Sequence, residues 1–471
     1  MSDQTSVWNF GKNVESKPAK ILQPRSTEDL LEMLKGHQGE KIRVYGSLHA
    51  WSDAVKTTGI LVDVSQLNTI EFDSTANVAN VGGGCTVKSL LQELKPLGFT
   101  LPTIGLIDEQ TVAGATATAT HGSGNNSLSQ FLTSVAIVHF DPKTGQPKLS
   151  RIESGEDLNA ARCSLGLLGV IVELQIQCRP QYNIKEFAAA HDTLTAVLSL
   201  ENDNPQQQFY LMPWSWSYFG HHRSETKQER SKSATLYRWY CYLVIDIGLH
   251  LAVFGLAKIF KLSWLTRFFF KRILPLTIVR NWKVVDDSHS MLVMEHELFR
   301  HIEIEVFVQR SKVEAATEFL IDVLSQCGGQ AMKQESETTA RIEACDMVGQ
   351  FGELRGCYVH HYPICYRRVL NDDALISMAS PSHDSNEDWY AISLISYQWP
   401  TDRAGFFQMA DFIASSFASL FSARCHWGKY NPLQAMTNRQ LYPQLPEFLG
   451  VVKQFDRESC FANDWLEDVL S

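Results

Sequence analysis

A run of small residues between Thr111 and Gly124 constrains the fold of this chain more than any other segment. From Gly114 to Thr120 it alternates Ala and Thr, and it ends in His121-Gly-Ser-Gly124. Such residues cannot fill a core of their own, but they let another surface approach the backbone closely. Because the run can offer several backbone donors to a pyrophosphate, we interpret it as part of a cofactor cradle; a flexible surface loop is the alternative.

A second turn of this kind follows a strand pattern at 42–45. It reads Gly46-Ser47-Leu48-His49-Ala50, and backbone N–H groups in such a turn can converge on an anionic oxygen, with His49 projecting beside it. A single histidine after a turn is more often a solvated loop residue. The glycine run 82–84 lacks the GxGxxG spacing of a dinucleotide fingerprint, so we interpret it as a structural turn.

The pattern of strands and helices indicates two domains, as a chain of 471 residues requires. In the first part, strands are predicted at 42–45, 60–64, 69–72, 78–81, 135–140 and 170–176. Helices are predicted after Ser26 and over Val87–Leu97. In the second part, strands predicted at 302–308, 358–363 and 389–397, with helices at 313–324 and 405–420, indicate a sheet covered by helices. The predicted fold class is α+β.

One segment, residues 236–284, is densely apolar and aromatic. It is long enough to suggest a membrane span, but polar residues interrupt it. At about 100° per residue, these interruptions fall on one third of the helix circumference, as in a helix lying in the membrane interface: Asp246, His250, Lys258 and Lys261. Following basic and aromatic residues suit the headgroup level. A membrane-associated insert is predicted; the alternative is a buried helix pair in which Asp246 and His250 interact.

Composition limits the partners and the compartment. The formal net charge of −10 argues against nucleic acid and favours a small, neutral or weakly charged substrate. The ten cysteines form no CxxC pair and no cluster with zinc spacing, so neither a metal site nor a disulfide framework is predicted. Residues 1–10 lack a signal-peptide pattern. We therefore expect a membrane-associated protein whose active domain faces the cytoplasm.

In this order, the segments resemble the FAD-linked sugar-1,4-lactone oxidases of the vanillyl-alcohol oxidase superfamily. Residues 46–50 match the first FAD loop, Gly-x-x-His-Ser, except that Ala50 replaces the serine. Residues 111–124 match the second loop, and 165–171 match Leu-Gly-x-Leu-Gly-Val-Ile. His426-Trp-Gly-Lys429 matches the late His-Trp-x-Lys motif. The resemblance spans nearly the whole chain, and the insert resembles the membrane segment of animal-type gulonolactone oxidase.

The resemblance implies a two-domain vanillyl-alcohol-oxidase-type fold. Its parts would be an FAD-binding domain (1–180), a substrate or cap domain (181–424) with the insert at 236–284, and a C-terminal segment (425–471) that returns to the flavin. It implies FAD bonded covalently to His49, and hydride transfer from an alcohol of a sugar, sugar lactone or polyol to flavin N5. The residues implied to bind the cofactor are Tyr45, Gly46, Ser47, Leu48, His49, Ala50, Gly114, Thr118, His121, Gly122, Ser123, Gly124, Gly169, Ile171 and His426.

The sequence departs from the family at one catalytic position. The family's Glu-x-Arg pair is replaced by Cys365-Tyr-Arg367, and a neutral thiol cannot accept strongly from a sugar hydroxyl. Arg367 could still bind a substrate oxygen or the negative charge that develops on the flavin, and Lys429 could polarise the ring. Cys365, Arg367 and Lys429 are the predicted catalytic residues.

The altered pair leaves three alternatives to a lactone oxidase open. One is an oxidase of a lipid-linked sugar beside the bilayer, similar to decaprenylphosphoryl-ribose oxidase. Another is a flavoprotein scaffold without activity, and a nicotinamide-dependent sterol reductase ranks below both. Oxygen, a quinone and a cytochrome stay open as the electron acceptor.

Overall fold

The computed structural model describes residues 6–293, 300–383 and 385–471. These residues form two compact units. One comprises Met1–Gln181, Asn371–Asn386 and Gln434–Ser471, which we call the loop unit, and the other comprises Tyr182–Leu370 and Glu387–Leu433, which we call the sheet unit. Of the stretch without a signal-peptide pattern, residues 1–5 lie outside the described residues.

The loop unit begins the chain with short strands and helices. Its strands are β1 (Val7–Trp8), β2 (Glu15–Ser16), β3 (Lys20–Leu22), β4 (Ile42–Tyr45), β5 (Ile60–Asp63), β6 (Ile70–Asp73), β7 (Val78–Gly82), β8 (Phe99–Thr100), β9 (Leu132–Phe140), β10 (Pro147–Ile152), β11 (Val170–Gln177) and β12 (Arg179–Pro180). Its first helices are α1 (Thr27–Met33), α2 (Val87–Leu94), α3 (Val112–Ala117) and α4 (Gly155–Arg162).

Two sheets organise the loop unit. The strands β3, β5 and β4 form a parallel sheet in that order, and β10, β9, β11, β7 and β6 form an antiparallel sheet. Apolar residues of both sheets and of α1 form a common core, which includes Leu30, Ile42, Val62, Val138 and Val172. Ser26 caps α1 by accepting from the Asp29 N–H, which confirms the predicted helix start.

The sheet unit follows and contains the strands β13 (Asn183–His191), β14 (Gln208–Leu211), β15 (Tyr218–Thr226), β16 (Lys283–Asp287), β17 (Ile302–Gln309), β18 (Ile364–Val369), β19 (Trp389–Ser396) and β20 (Arg424–Cys425). Its helices are α5 (Leu194–Leu198), α6 (Ala234–Tyr240), α7 (His250–Phe254), α8 (Ser263–Phe268), α9 (Leu274–Thr277), α10 (Ser288–Leu292), α11 (Val313–Cys327), α12 (Glu335–Ala344), α13 (Val348–Glu353) and α14 (Ala404–Phe421). The chain ends in the loop unit with α15 (Ala435–Leu441), α16 (Leu445–Phe455) and α17 (Asp464–Leu470).

The sheet unit is built on one antiparallel sheet, in the order β16-β13-β15-β14-β18-β19-β17-β20. One face carries α11: the Tyr366 hydroxyl lies 3.0 Å from that of Thr317, and Val306 belongs to the same row of side chains. Adjacent residues of a strand point to opposite faces, so Glu303 and Glu305 lie on the other face. The strand predicted at 358–363 is wrong, because pairing begins only at Ile364, after Pro363, which has no N–H to donate.

The insert forms two helices that mix α and π turns. The first runs over Ala234–Phe260, with π turns at Cys241–Leu249 and Gly255–Phe260. The second combines α8, a π turn at Phe269–Ile273 and α9. The predicted polar stripe does not lie on one surface. Asp246 and His250 are buried, whereas Lys261 is exposed. The part of the stripe assigned to the membrane interface is therefore wrong for Asp246 and His250, which face the protein.

Candidate active site

A buried arginine fixes the start of the first predicted cofactor loop. Arg43 on β4 donates hydrogen bonds to the carbonyls of Ala54, Phe461 and Leu165. Burial lowers the pKa of Arg43 to about 10, so the guanidinium stays charged at neutral pH. Its three bonds join β4 to two distant segments of the same unit, and the turn after β4 therefore begins from a fixed position.

The turn itself orients His49. Leu48 adopts the left-handed backbone conformation, with φ +58°, which reverses the chain direction sharply. The His49 ring stacks on Phe10, with a centroid distance of 4.9 Å and an interplanar angle of 17°. Its Nδ1 donates to the Ser47 carbonyl at 3.0 Å. Since the carbonyl can only accept, the proton is on Nδ1, and Nε2 is the basic nitrogen of the neutral ring.

The second predicted loop lies directly against the first. Thr111 caps α3 by accepting from the Gly114 N–H at 3.2 Å. A Cβ at Gly46 would lie 2.3 Å from Cγ2 of the same threonine, and one at Gly122 would lie 2.6 Å from the Ile104 carbonyl oxygen. Glycine is therefore required where these segments approach each other.

The other glycine motifs lie where two backbone segments come close together. Gly169 has φ +134°, and a Cβ there would lie 2.5 Å from the Val138 carbonyl; Ile171, two residues on, is buried in β11. At each of the glycines 82–84, a Cβ would lie 1.9 to 2.2 Å from a backbone carbonyl oxygen. The interpretation of this glycine run as a structural turn is confirmed.

The residues of the loop unit fit an FAD pyrophosphate. Residues 45–50 are half-buried, Gly114 is exposed, and Thr118, Ser123 and Gly124 are half-buried. His121 is buried, and its Nδ1 donates to the Gly122 carbonyl at 2.9 Å. The two loops thus present backbone and small side chains at an accessible surface, which is the donor set that a pyrophosphate requires. All predicted cofactor-binding residues except His426 belong to this unit.

The predicted catalytic residues lie in the sheet unit. Two of them, Arg367 and Lys429, belong to a buried group of polar and charged side chains that we call the polar cluster: Glu303, Glu305, Arg367, Ser393, His426 and Lys429. Arg367 Nη2 and Ser393 Oγ both donate to Glu305 Oε1, each at 2.5 Å. Lys429 Nζ donates to Glu303 Oε2 at 2.5 Å. Two carboxylates and two cations thus neutralise each other, which is the condition for burying charge.

Cys365 occupies the family's glutamate position next to this cluster. Its Sγ accepts a hydrogen bond from Gln208 Nε2 at 3.2 Å, and burial raises its pKa to about 12. The side chain is therefore a neutral thiol at physiological pH. It cannot act as the carboxylate that the family places there.

His426 lies beside Glu305 rather than in the loop unit. Its Nδ1 accepts from the Gly428 N–H at 2.9 Å, so the neutral ring carries its proton on Nε2. That nitrogen lies 3.9 Å from Glu305 Oε2. Its placement among the cofactor-binding residues stays a prediction.

Glu303 and Glu305 were not identified as site residues from the sequence. The sequence shows them only as the alternation Glu-Ile-Glu in a strand, and such alternation usually indicates that the polar residues face the solvent. In the structure every residue of β17 is buried. Two buried carboxylates that are two residues apart on one strand require nearby cations. In the sequence, only the motifs that contain Arg367 and Lys429 indicated which cations these are.

The insert packs on the same sheet face as the polar cluster. Its buried side chains form an apolar cluster with the sheet, made of Ala188, Met212, Trp214, Phe219, Leu249, Val253, Phe270, Leu274, Tyr362 and Tyr397. His250 Nε2 lies 2.8 Å from the Tyr397 hydroxyl and fixes the insert to β19 and its end. The opposite side of the insert is apolar and exposed, with Trp264 62% and Ile259 64% accessible.

Comparison with known proteins identifies both parts of the chain. Residues 18–142 match the FAD binding domain family, and residues 174–469 match the D-arabinono-1,4-lactone oxidase family. The chain is 45% identical to a long-chain alcohol oxidase of an uncultured marine euryarchaeote, over 98% of this chain and 96% of the relative. It is 25% identical to L-gulono-1,4-lactone dehydrogenase of Mycobacterium tuberculosis, over 98% and 99% of the two chains.

The fold also resembles that of a solved oxidase. The crystal structure of cholesterol oxidase from B. sterolicum matches with a TM-score of 0.71 and 13% identity, over 99% of this chain and 97% of that one. This supports the predicted vanillyl-alcohol-oxidase-type, mixed α and β fold. The chain belongs to the D-arabinono-1,4-lactone oxidase family and is an FAD-dependent oxidoreductase of the class that acts on CH–OH groups.

Proposed function

We propose that this enzyme oxidises a long-chain primary alcohol to its aldehyde at a membrane surface, with FAD bonded to His49. One observation carries the proposal: the polar cluster and the apolar cluster adjoin on one sheet face. Glu303 pairs in register with Ile395, and Cys365 pairs with Tyr210. Ile395 and Tyr210 pack against the apolar cluster. A hydroxyl bound at the polar cluster would leave its alkyl chain beside apolar side chains.

The thiol at Cys365 supports an alcohol with few hydroxyls. A buried polar substrate group without a hydrogen-bond partner costs about 1–3 kcal/mol, and a sugar lactone brings several such groups. A long-chain alcohol brings one. The 45% identical relative is named a long-chain alcohol oxidase, and its name also supports oxygen as the electron acceptor.

FAD supplies the two-electron acceptor for the hydrogen that leaves the carbinol carbon. Gly46 to Ala50 and Gly114 to Gly124 would hold its pyrophosphate. His49 would bond the isoalloxazine through Nε2, since its Nδ1 donates to the Ser47 carbonyl. The π-stack on Phe10 would keep the ring in that orientation.

The exposed surface of the insert supports membrane association. Most exposed large apolar side chains of the described residues lie between 236 and 279, among them Trp239, Leu251, Phe260, Trp264 and Leu276. Lys271, Arg272 and Arg280 are exposed beside them. An apolar surface bordered by cations suits an anionic lipid surface. The helix Ala234–Phe260 is long and apolar enough to span a membrane, and only 28% of its most apolar stretch is buried.

The test compares substrates in one assay. The purified enzyme is mixed without oxygen with 1-dodecanol, L-gulono-1,4-lactone, xylitol or a polyprenyl-phospho-ribose, and the flavin absorbance is followed. We expect 1-dodecanol to bleach the flavin fastest, and added oxygen to restore the colour with release of hydrogen peroxide. If the lactone or the lipid-linked sugar bleached the flavin faster than 1-dodecanol, the faster compound would define the substrate class instead.

Acid precipitation tests the covalent bond separately. We expect the yellow colour to stay with the precipitated wild-type protein and to pass into the supernatant for His49→Ala. Colour released from both proteins would overturn the bond to His49 and leave the substrate proposal untouched.

A further inference from the structure

We propose that Glu305 is the base that accepts the hydroxyl proton of the alcohol, and that His426 donates a hydrogen bond to the same substrate oxygen. The inference rests on the proposed alcohol oxidation. It answers a chemical need that the sequence leaves open: an alcohol that loses a carbinol hydrogen with its electron pair must also lose the hydroxyl proton, and Cys365 cannot receive it.

The two oxygens of Glu305 point toward different side chains. Oε1 accepts from both Arg367 Nη2 and Ser393 Oγ at 2.5 Å, which anchors that oxygen. Oε2 is directed to the side of His426, where it lies 3.9 Å from Nε2. The side chain of Glu305 is fully buried, so neither rotation nor bulk water can easily rearrange it.

A separation of 3.9 Å is too wide for a direct hydrogen bond and suits a bridging hydroxyl. An oxygen placed about 2.7–2.9 Å from both atoms can donate its proton to Oε2 and accept from Nε2–H. The tautomer of His426 agrees with this, because the Gly428 N–H donates to Nδ1 and the ring proton is therefore on Nε2. The pair thus offers one acceptor and one donor to a single hydroxyl.

The step balances with the groups present. The O–H bond would break with its proton going to Glu305 Oε2, the carbinol C–H bond would break with its hydrogen leaving as hydride for bound FAD, and the C=O bond of the aldehyde would form. The alcohol is oxidised by two electrons and FAD is reduced by two. His426 Nε2–H stabilises the negative charge on the oxygen, while Arg367 and Ser393 are positioning residues that act through Glu305.

Several charged or titratable groups of the sheet unit surround the proposed base. They are Arg367 and Cys365 on β18, Glu303 on β17, and His426 and Lys429 after β20. Glu305 pairs with the Arg367 cation as a carboxylate anion. The negative charge of Glu305 would repel the carboxylate of a fatty acid bound beside it. The affinity for a fatty acid therefore reports the charge of Glu305 without any turnover.

The experiment compares Glu305→Gln with Glu186→Gln. Glu186 on β13 is a matched control, because it is another fully buried carboxylate of the same sheet and accepts from Arg223 at 2.5 Å. Two quantities are measured for each folded, yellow protein: the rate of flavin bleaching by the alcohol without oxygen, and the equilibrium binding of dodecanoate by calorimetry from pH 5 to pH 9.

We expect Glu305→Gln to slow flavin bleaching by on the order of 100-fold or more, the usual contribution of a general base. The bleaching rate of this variant should also no longer fall at acidic pH. Dodecanoate should bind Glu305→Gln at least about tenfold more tightly, since one opposing charge is removed. Glu186→Gln should bleach and bind like the wild type. Should Glu305→Gln fail to fold, Glu305→Asp, which keeps the charge but shortens the reach, should bleach slowly and still bind dodecanoate weakly.

The inference would be overturned if the flavin of Glu305→Gln were bleached at the wild-type rate, or if this variant bound dodecanoate with the wild-type affinity. If no alcohol bleaches even the wild type, the proposed function fails instead, and the two failures are therefore distinct.

Discussion

Arg367 and Glu305 lie on strands that are not neighbours, yet their side chains meet over the strand between them. Arg367 is on β18 and Glu305 on β17, with β19 in the middle. Nη2 lies 2.5 Å from Oε1, and Ser393 of the middle strand donates to the same oxygen. The arginine of the family motif is thus committed to a carboxylate of this chain, which makes it a positioning residue in the proposed reaction.

Breaking this pair should destabilise the protein strongly. We expect Arg367→Met to lower the free energy of unfolding by about 3–5 kcal/mol, because it leaves a buried carboxylate without its cation. Arg368→Met is the control, since the neighbouring Arg368 pairs with a half-buried Asp388, and its loss should cost about 1 kcal/mol or less. Urea unfolding measures the stability of both variants. Equal destabilisation by Arg367→Met and Arg368→Met would contradict a buried pair of Arg367 and Glu305.

Lys429 can be separated from its partner Glu303 by a double variant. Lys429→Met should lower stability, and Lys429→Met with Glu303→Leu should regain most of it, because an apolar pair of similar volume replaces a buried ion pair at little cost. If Lys429 also acts on the flavin, as predicted from its motif, flavin bleaching stays slow in the stable double variant. Recovery of the wild-type rate would limit Lys429 to neutralising Glu303.

Local signals made most of the fold predictable. The strand at 42–45, the helix capped by Ser26 and the strand β19 all follow from patterns within a few residues of each other. Glu303 and Glu305 show the limit. A polar face of a strand is solvated or buried depending on what lies opposite, and the cation opposite Glu305 is 62 positions away in the chain. Asp246 and His250 illustrate the same limit, since helical spacing put them on one stripe but could not say which side faced the protein.

Gly46 should be needed for retention of FAD. An alanine there would place Cβ 2.3 Å from the Thr111 side chain, so the two loops would have to separate. We expect Gly46→Ala to be purified with a much lower ratio of flavin to protein, measured from the visible and ultraviolet absorbance. Gly450→Ala, in α16 of the same unit with no atom within 4 Å of the added Cβ, should keep the wild-type ratio. A colourless Gly450→Ala would show general instability of the unit instead.

The exposed side of the insert should determine membrane binding. We expect the triple variant Leu251→Ser, Phe260→Ser and Trp264→Ser to bind anionic vesicles on the order of 100-fold more weakly, since each buried large apolar side chain contributes roughly 1.5–3 kcal/mol. The control replaces Leu149, Val348 and Met436, which are exposed outside the insert, and should bind as the wild type does. Vesicle sedimentation measures both, and equal binding would exclude the insert as the contact surface.

Acid should destabilise the sheet unit through its buried histidines. Burial holds the pKa of His222, His360 and His361 at about 4, 3 and 4, below the ordinary 6.5. Between about pH 6.5 and 4 the unfolded chain therefore binds more protons than the folded one, and stability falls as the pH falls. His361 shows why, because its Nδ1 donates to the Val359 carbonyl while Nε2 accepts from the Tyr397 N–H, a bond that protonation would break. We expect His361→Gln to reduce the slope of unfolding free energy against pH by up to about 1.4 kcal/mol per pH unit in this window. Urea titrations at pH 4.5, 5.5 and 6.5 compare His361→Gln with the wild type. A slope equal to that of the wild type in His361→Gln would mean that this histidine takes up its proton without unfolding.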